Sequence, residues 1–231
     1  KELAVDSAEL NVAGFIQVSG NFAIRAEADS VNVGGAAIAV DALTIGASDV
    51  SAFAGYNGGT DNAIGLSLTD VNFAVGLFTE TGGDRDWVTL QGDVGSVAVV
   101  GVPGLTLAVT TFGIEVNLAA SDDTVVDYST ESYDVATGGG NTVSFTMDAA
   151  DGELIQVSGS LELEVASLFR VDGDFAFVSK SGEVRLSDGS TVEVDMITIS
   201  ANQVNAFAGI SDIGFELAQA DFALLLVTEK T

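Results

Sequence analysis

Apolar and polar residues alternate in short runs along the whole chain, as in Leu43-Thr44-Ile45, Val88-Thr89-Leu90 and Ile197-Thr198-Ile199. A period of two that is filled by Val, Ile, Phe and Thr predicts β-strands with two different faces. No segment combines a 3.6-residue apolar period with capping residues at its ends, so the pattern predicts almost no helix. We therefore predict an all-β protein.

A sequence repeat divides the chain. The segment Asp41–Gly55 returns as Asp195–Gly209 with nine identities, at an offset of 154 residues. A shorter match places Ile16–Gly20 on Ile155–Gly159, at an offset of 139. These matches predict a first β repeat and a partial second one. The predicted boundaries are 1–154 for the first repeat and 155–231 for the second.

The two offsets differ by 15 residues, which predicts an insertion in the second copy. Residues 169–195 alternate cleanly and contain turn residues at Lys180–Gly182 and Ser187–Ser190. An Asp-Gly pair between alternating runs is typical of a β-hairpin. The sequence therefore predicts a hairpin at about 169–195 that projects from the main body.

Five of the seven intervals between the alternating motifs are 17 to 23 residues long, which is the length of one coil of a β-solenoid, and the other two, 38 and 36 residues, are about twice as long. This spacing favours parallel β-solenoid-like repeats that stack on one another. Tandem β-sandwich repeats are the alternative, since regularly spaced strands with turn residues between them suit that architecture as well. A barrel or another open β form is the third architecture that the pattern allows. Neither end of the chain carries a charged or Pro-rich cap, so we predict contact with neighbouring repeats or identical subunits.

The composition excludes several classes of function. The 231 residues include 34 acidic and 7 basic side chains, for a net charge of −27. So few cations argue against binding to nucleic acid, which requires Lys and Arg to neutralise phosphates. The chain has no Cys and no His. Thiol nucleophiles, His general bases and the usual zinc or haem ligands are thereby removed, and we predict no enzymatic activity.

The longest uncharged run, Val94–Ile114, has 21 residues and is long enough to cross a bilayer as a helix. It contains several glycines and β-branched residues, and Pro103-Gly104 lies near its centre. We interpret it as two buried strands joined by a turn, and we expect no transmembrane segment.

Acidic and Asn/Gly clusters occur where the strands are predicted to break. Calcium prefers six to eight oxygen ligands, which Asp-rich loops can supply, although such residues also favour turns for their own sake. No EF-hand loop occurs in the sequence. The candidate calcium ligands are Asn57, Asp61, Asp84, Asp86, Asp122, Asp123, Asp172 and Asp174.

Three segments, 43–55, 188–195 and 197–209, resemble repeat modules of very large secreted bacterial surface proteins of the adhesin-like kind. The resemblance implies export and an extracellular or cell-surface setting, and it implies no catalytic residues. Together with the repeats, it predicts a structural or assembly segment of a β-rich filament, stalk or adhesin. An extracellular binding module for glycan, ice or lipid is the alternative.

Overall fold

The computed structural model describes residues 1–211 and 213–230, and these form twelve β-strands and one short 3₁₀ turn, with no α-helix. The prediction of an all-β chain is confirmed. No helix in the described part of the chain has the length and hydrophobicity needed to cross a membrane. The strands are β1 (Glu2–Val12), β2 (Ile16–Val33), β3 (Ala36–Tyr56), β4 (Ile64–Glu80), β5 (Asp86–Val100), β6 (Leu105–Leu118), β7 (Tyr133–Gly138), β8 (Asn141–Phe145), β9 (Leu154–Val165), β10 (Phe169–Arg185), β11 (Thr191–Ile210) and β12 (Ile213–Glu229).

Ten of these strands form one open sheet in the order β1-β2-β3-β4-β5-β6-β9-β10-β11-β12. Every neighbouring pair is antiparallel, and β1 and β12 are the two edges. In the part of the chain that the structure describes, the strands therefore form neither the expected parallel solenoid nor a pair of tandem sandwiches. The physical reason is that period-two alternation carries no information on strand direction. Short connections such as Gly34-Gly35 between β2 and β3 can join only antiparallel neighbours.

The segment 119–153, which we call the strap, leaves the sheet after β6 and crosses one of its faces before the chain returns as β9, which pairs directly with β6. It contains the β7–β8 hairpin and the 3₁₀ turn Ala149–Asp151. The hairpin contacts β2, β3, β4 and β5. We call the side that it covers the strap face and the other side the open face.

The hydrophobic core lies between the strap and the strap face. Small residues of the sheet, such as Ala23, Gly46 and Ala74, lie opposite one another in the register and leave room for the strap. A Cβ atom on Gly46 would collide with the backbone carbonyl of Ala136 in β7. The buried core residues are Val31, Val33, Val40, Ala42, Ala74, Phe78, Trp87, Ala120, Val126, Tyr128, Val135, Phe145, Met147 and Leu154.

The sequence repeat has a counterpart in the structure. The second copy begins at β10, whereas the short match at an offset of 139 residues would place its start at β9. Strands β10, β11 and β12 repeat β2, β3 and β4: the pair Ala47↔Phe73 recurs as Ala201↔Phe222. Gly20 of β2 corresponds to Gly173 of β10, because a Cβ atom on either would lie unusually close to the Cα atom of a valine in the next strand, at 2.8 Å from Val50 and 3.0 Å from Val204. The match of Ile16–Gly20 to Ile155–Gly159 compares β2 with β9 and is not part of this repeat.

The segment 169–195 does not project from the body. Strand β10 continues through Lys180–Gly182 without a turn and pairs with β9 and β11 inside the main sheet. The turn at Ser187–Ser190 is present and joins β10 to β11. The correct correspondence of β10 with β2 removes the need for a 15-residue insertion. The hairpin that does stand outside the sheet is β7–β8 in the strap.

Most strands of the sheet carry a bulge near their middle. Six non-glycine residues in these strands have φ between 50° and 55°: Ser7, Asp49, Asp70, Thr111, Gln203 and Gln219. A bulge of this kind bends the strand and increases its twist. Because the left-handed conformation is unfavourable for these residues, on the order of 1 kcal/mol each, local hydrogen bonds are needed to hold it.

The sheet leaves an unusually large surface in contact with solvent. The accessible area is 12,981 Å², whereas a compact monomer of this mass is expected to expose about 9,800 Å². The difference arises because the strap covers only part of one face of the sheet.

Candidate assembly and binding surfaces

The open face carries two neighbouring apolar rows that cross the whole sheet. The register aligns residues side by side from one edge strand to the other, and directly opposite residues share a face. The first row is Leu3, Ile24, Ile45, Val75, Leu90, Val116, Ile155, Ser179, Ile197 and Leu226. The second is Val5, Phe22, Ala47, Phe73, Gly92, Ile114, Val157, Phe177, Ile199 and Leu224.

These rows are only partly shielded from solvent, and several members are more than a third exposed, including Phe177, Ile199 and Leu224. Ten strands at about 4.8 Å spacing make an apolar band roughly 40 Å long. Large contiguous apolar patches on a soluble protein mark interaction surfaces. The open face is therefore the first candidate surface for assembly.

The edge strand β12 is the second candidate surface. Among residues 1–211 and 213–230 it pairs with β11 alone, so no described strand pairs with its outer backbone groups. Its apolar side chains project into solvent, as in Phe215 at 74% exposure and Leu225 at 56%. A long, apolar, unblocked edge is a template for a further strand.

The repeat allows this edge to be compared with a covered one. Strand β4 is the counterpart of β12 and pairs with β5 on its other side. Phe78 of β4 is 1% exposed, whereas its counterpart Val227 is 46% exposed. The chain folds similarly in both places, but only the first copy has β5 and the strap to cover it.

Polar side chains form a belt along the row of bulges and satisfy its irregular backbone. Asn72 of β4 accepts a hydrogen bond from the backbone N–H of Asp49 at 3.0 Å and donates one from Nδ2 to Asp93 of β5 at 3.0 Å. In the second copy, Asp221 accepts from the backbone N–H of Gln203 at 2.7 Å. The bond that holds the bulge is thus present in both copies.

A cleft of about 810 Å³ lies between the β7–β8 hairpin and the strap face. Its floor is polar because Gln91, Glu115 and Gln156 lie opposite one another in the register. Asn141 of the hairpin closes one side of the cleft, and its Nδ2 donates a hydrogen bond to the carboxylate of Asp49 at 3.3 Å. Amides, hydroxyls and two carboxylates line the cleft, and no cationic side chain is among them. Such a lining suits a neutral polar ligand.

Buried polar groups tie the strap to the sheet. The indole Nε1 of Trp87 donates to the carbonyl of Thr124 at 3.0 Å, and Asn117 Nδ2 donates to the carbonyl of Val126 at 2.8 Å. The hydroxyl of Tyr128 lies 2.7 Å from that of Thr89. Burial raises the pKa of Tyr128, because the phenolate would be poorly solvated there.

Four of the candidate calcium ligands lie near the start of the strap and the β4–β5 turn. Asp84 is in that turn and Asp86 begins β5, while Asp122 and Asp123 are in the strap. Arg85 binds Glu80 through two 2.8 Å hydrogen bonds and reaches Asp122 at 3.5 Å. Hydrogen bonding from Arg85 lowers the pKa of Glu80, and the hydroxyl of Thr124 lowers that of Asp122.

The other four candidates lie elsewhere. Asn57 and Asp61 are exposed in the β3–β4 loop, far along the chain from Asp172 and Asp174 beside the β10 bulge. Asp172 accepts from Asn205 at 2.9 Å, and Asp174 accepts from the hydroxyl of Ser160. Within residues 1–211 and 213–230, no group of three or more acidic side chains is placed to hold a metal ion.

Calcium binding remains a prediction from the sequence, and it has a direct measurement. If calcium bridges these carboxylates, the melting temperature should rise on adding millimolar CaCl₂ and fall on adding EDTA, because an ion that binds only the folded chain stabilises it. MgCl₂ at matched ionic strength is the control for simple charge screening. Equal melting temperatures in calcium and magnesium would exclude a specific calcium site.

No protein-family model, no curated protein and no solved structure matches this chain. Any function assigned to these surfaces therefore rests on the chemistry of their own residues. The open face and the β12 edge were not predicted from the sequence as particular surfaces. The signal was present, because Leu224-Leu225-Leu226 interrupts the alternation on β12 with apolar residues on both faces.

Proposed function

We propose that the chain is a structural and assembly segment of an extracellular repetitive β-rich filament, stalk or adhesin. The observation that supports this most directly is the apolar open face that crosses all ten strands. Packing of this face against the open face of a second copy would bury a band that water now contacts. The chain exposes about 3,200 Å² more than a compact monomer of its mass, so burying part of its surface in an interface would bring the exposed area closer to that of a compact protein.

The internal repeat and the two unpaired edges support the same proposal. A sheet whose β10–β12 part repeats β2–β4 can be extended strand by strand without a new fold. The extracellular setting is proposed from the adhesin-like style of the repeats and from their acidic, cysteine-free composition. The net charge of −27 acts against assembly, because copies that carry it repel one another.

Self-association is the expected behaviour of the purified chain. Sedimentation velocity should show a concentration-dependent dimer or larger species, and its population should rise with NaCl because screening reduces the repulsion between copies that each carry −27. Ile199→Lys should weaken association about tenfold or more, since it places an unpaired charge in the apolar band. Ser187→Lys, in the exposed β10–β11 turn, adds the same charge and serves as the matched control. A chain that stays monomeric at high salt and high concentration would overturn the proposal.

A binding module for glycan is the second candidate, and the cleft beneath the β7–β8 hairpin favours it over lipid or ice. Its amide and hydroxyl lining, which includes Asn72, Gln91 and Ser158, matches the hydrogen-bonding needs of sugar hydroxyls. Aromatic platforms for stacking a sugar ring are absent from this lining. For that reason the assembly function is preferred.

A further inference from the structure

We infer that the free edge of β12 accepts an antiparallel strand with the residue pattern of β5, carrying a hydrogen-bond donor where β5 has Asp93. This inference rests on the proposed assembly function and specifies the partner for one of its surfaces. Its basis is the internal repeat, because the first copy contains a covered counterpart of the same edge.

The two edges are equivalent in register. Three successive pairs across the β3–β4 bulges, Ala47↔Phe73, Val50↔Val71 and Ala52↔Leu68, recur between β11 and β12. Their counterparts are Ala201↔Phe222, Val204↔Ala220 and Ala206↔Leu217. The bulge residue of β4, Asp70, and that of β12, Gln219, have φ of 53° and 50°. Strand β12 therefore presents an edge of the same shape as β4.

The strand that covers β4 has specific features. β5 has 15 residues and pairs with β4 from Gly65↔Val100 to Thr79↔Asp86 without a register shift. By the repeat, the same strand on β12 would extend from Gly214 to Thr228. A partner of this length and without a bulge of its own fits the edge.

The other edge of a second copy fits less well. β1 has 11 residues against 17 in β12, so it would leave part of the edge unpaired. It also carries its own bulge at Ser7, which would have to align with Gln219. These mismatches favour a β5-type strand over β1 as the occupant.

One side chain determines which β5-type strand would bind. In the first copy Asn72 holds the β3 bulge through its oxygen and donates its amide to the carboxylate of Asp93. Its counterpart Asp221 holds the β11 bulge in the same way but has a second oxygen where Asn72 has a donor. An Asp at the position of Asp93 would then face a carboxylate and be repelled. An Asn or another donor there would form a hydrogen bond.

This chemistry can be tested with a synthetic peptide. A fluorescein-labelled peptide of residues 86–100 and its Asp93→Asn version are titrated with the intact chain and followed by fluorescence anisotropy. We expect the Asp93→Asn peptide to bind about fivefold more tightly than the unmodified one, as a cross-strand pair changes from repulsive to hydrogen-bonded. Hydrogen exchange should slow in residues 213–229 when the peptide is bound. A scrambled peptide of the same composition is the control.

The reciprocal variant of the chain makes the test specific to this pair. Asp221→Asn keeps the oxygen that accepts from Gln203 and restores the donor of Asn72, so it should reverse the preference in favour of the Asp93 peptide. No binding, protection of β1 instead of β12, or the same preference in both chains would overturn the inference. Self-association is measured separately. An assembling chain that ignores the peptide refutes this inference alone, and a monomeric chain that binds it refutes only the assembly proposal.

Discussion

Replacing Phe78 by alanine is expected to lower the free energy of unfolding by about 3–5 kcal/mol. Phe78 is 1% exposed, and its ring packs edge-on against Tyr133 at 5.2 Å and Phe145 at 6.5 Å between centroids. The substitution leaves a cavity where the strap meets the sheet, and the strap backbone is held by its own hydrogen bonds and cannot easily collapse into it. Urea unfolding followed by fluorescence of Trp87, the single tryptophan, measures the change in the same core.

An exposed phenylalanine on β12 provides a control of the same residue type. Phe215 on β12 is 74% exposed, so Phe215→Ala should change the free energy of unfolding by no more than about 0.5 kcal/mol in the monomeric chain. Equal effects of the two substitutions would contradict the placement of the core between the strap and the strap face. A large loss at Phe215 alone would indicate that β12 is covered in solution.

The class of the fold could be predicted because alternation with β-branched residues has a simple physical cause, namely side chains that point to opposite faces of a strand. Strand direction could not be predicted from the same pattern. The turns contained that information: Gly34-Gly35 between two alternating runs is a two-residue hairpin signal, and such a turn joins antiparallel strands. Motif spacing alone led to a parallel solenoid.

The dense identities of the repeat, in Asp41–Gly55 and Asp195–Gly209, lie in β3 and β11, which pair in the same register with β4 and β12. The repeat was misaligned at Ile16–Gly20, where five alternating residues matched the wrong strand. The residue that decides the alignment is Gly20, because its Cβ-free backbone lies against Val50 as Gly173 lies against Val204. This steric requirement comes from a strand pairing that the sequence does not show directly.

The candidate surfaces were the least predictable part. A strand with alternating apolar residues has the same sequence pattern whether its apolar face is buried by another layer or open to solvent. The residues that form such a layer lie far away in the sequence. Here the strap covers the positions around Gly46 and leaves the row through Ile199 uncovered. Most of the predicted acidic ligands lie on loops and bulges, where Arg85 and Thr124 already donate to Asp122, and Asn205 donates to Asp172.

Exchanging residues between the two copies tests why only one of them carries a strap. Gly46→Ser introduces the residue found at its counterpart, Ser200, and is expected to lower the free energy of unfolding by about 2–3 kcal/mol. The added Cβ would meet the backbone carbonyl of Ala136, and the methyl group of Thr137 lies 3.0 Å from the same position. Because the nearest obstacle is backbone, relief requires the hairpin to lift from the sheet. Hydrogen exchange should therefore accelerate in β7 while β2 to β4 stay protected.

The reverse substitution, Ser200→Gly, should lower the free energy of unfolding by only about 0.5–1 kcal/mol, through the greater backbone freedom of glycine in a strand. The β7–β8 hairpin packs on β3, and no comparable contact of the hairpin with β11 is found among the described residues, so Ser200→Gly removes no hairpin contact. If Gly46→Ser proved as mild as Ser200→Gly, the strap would not lie close enough to the sheet to select glycine. In that case the strap face would be accessible to solvent in both copies, and both faces of the sheet would be available for assembly.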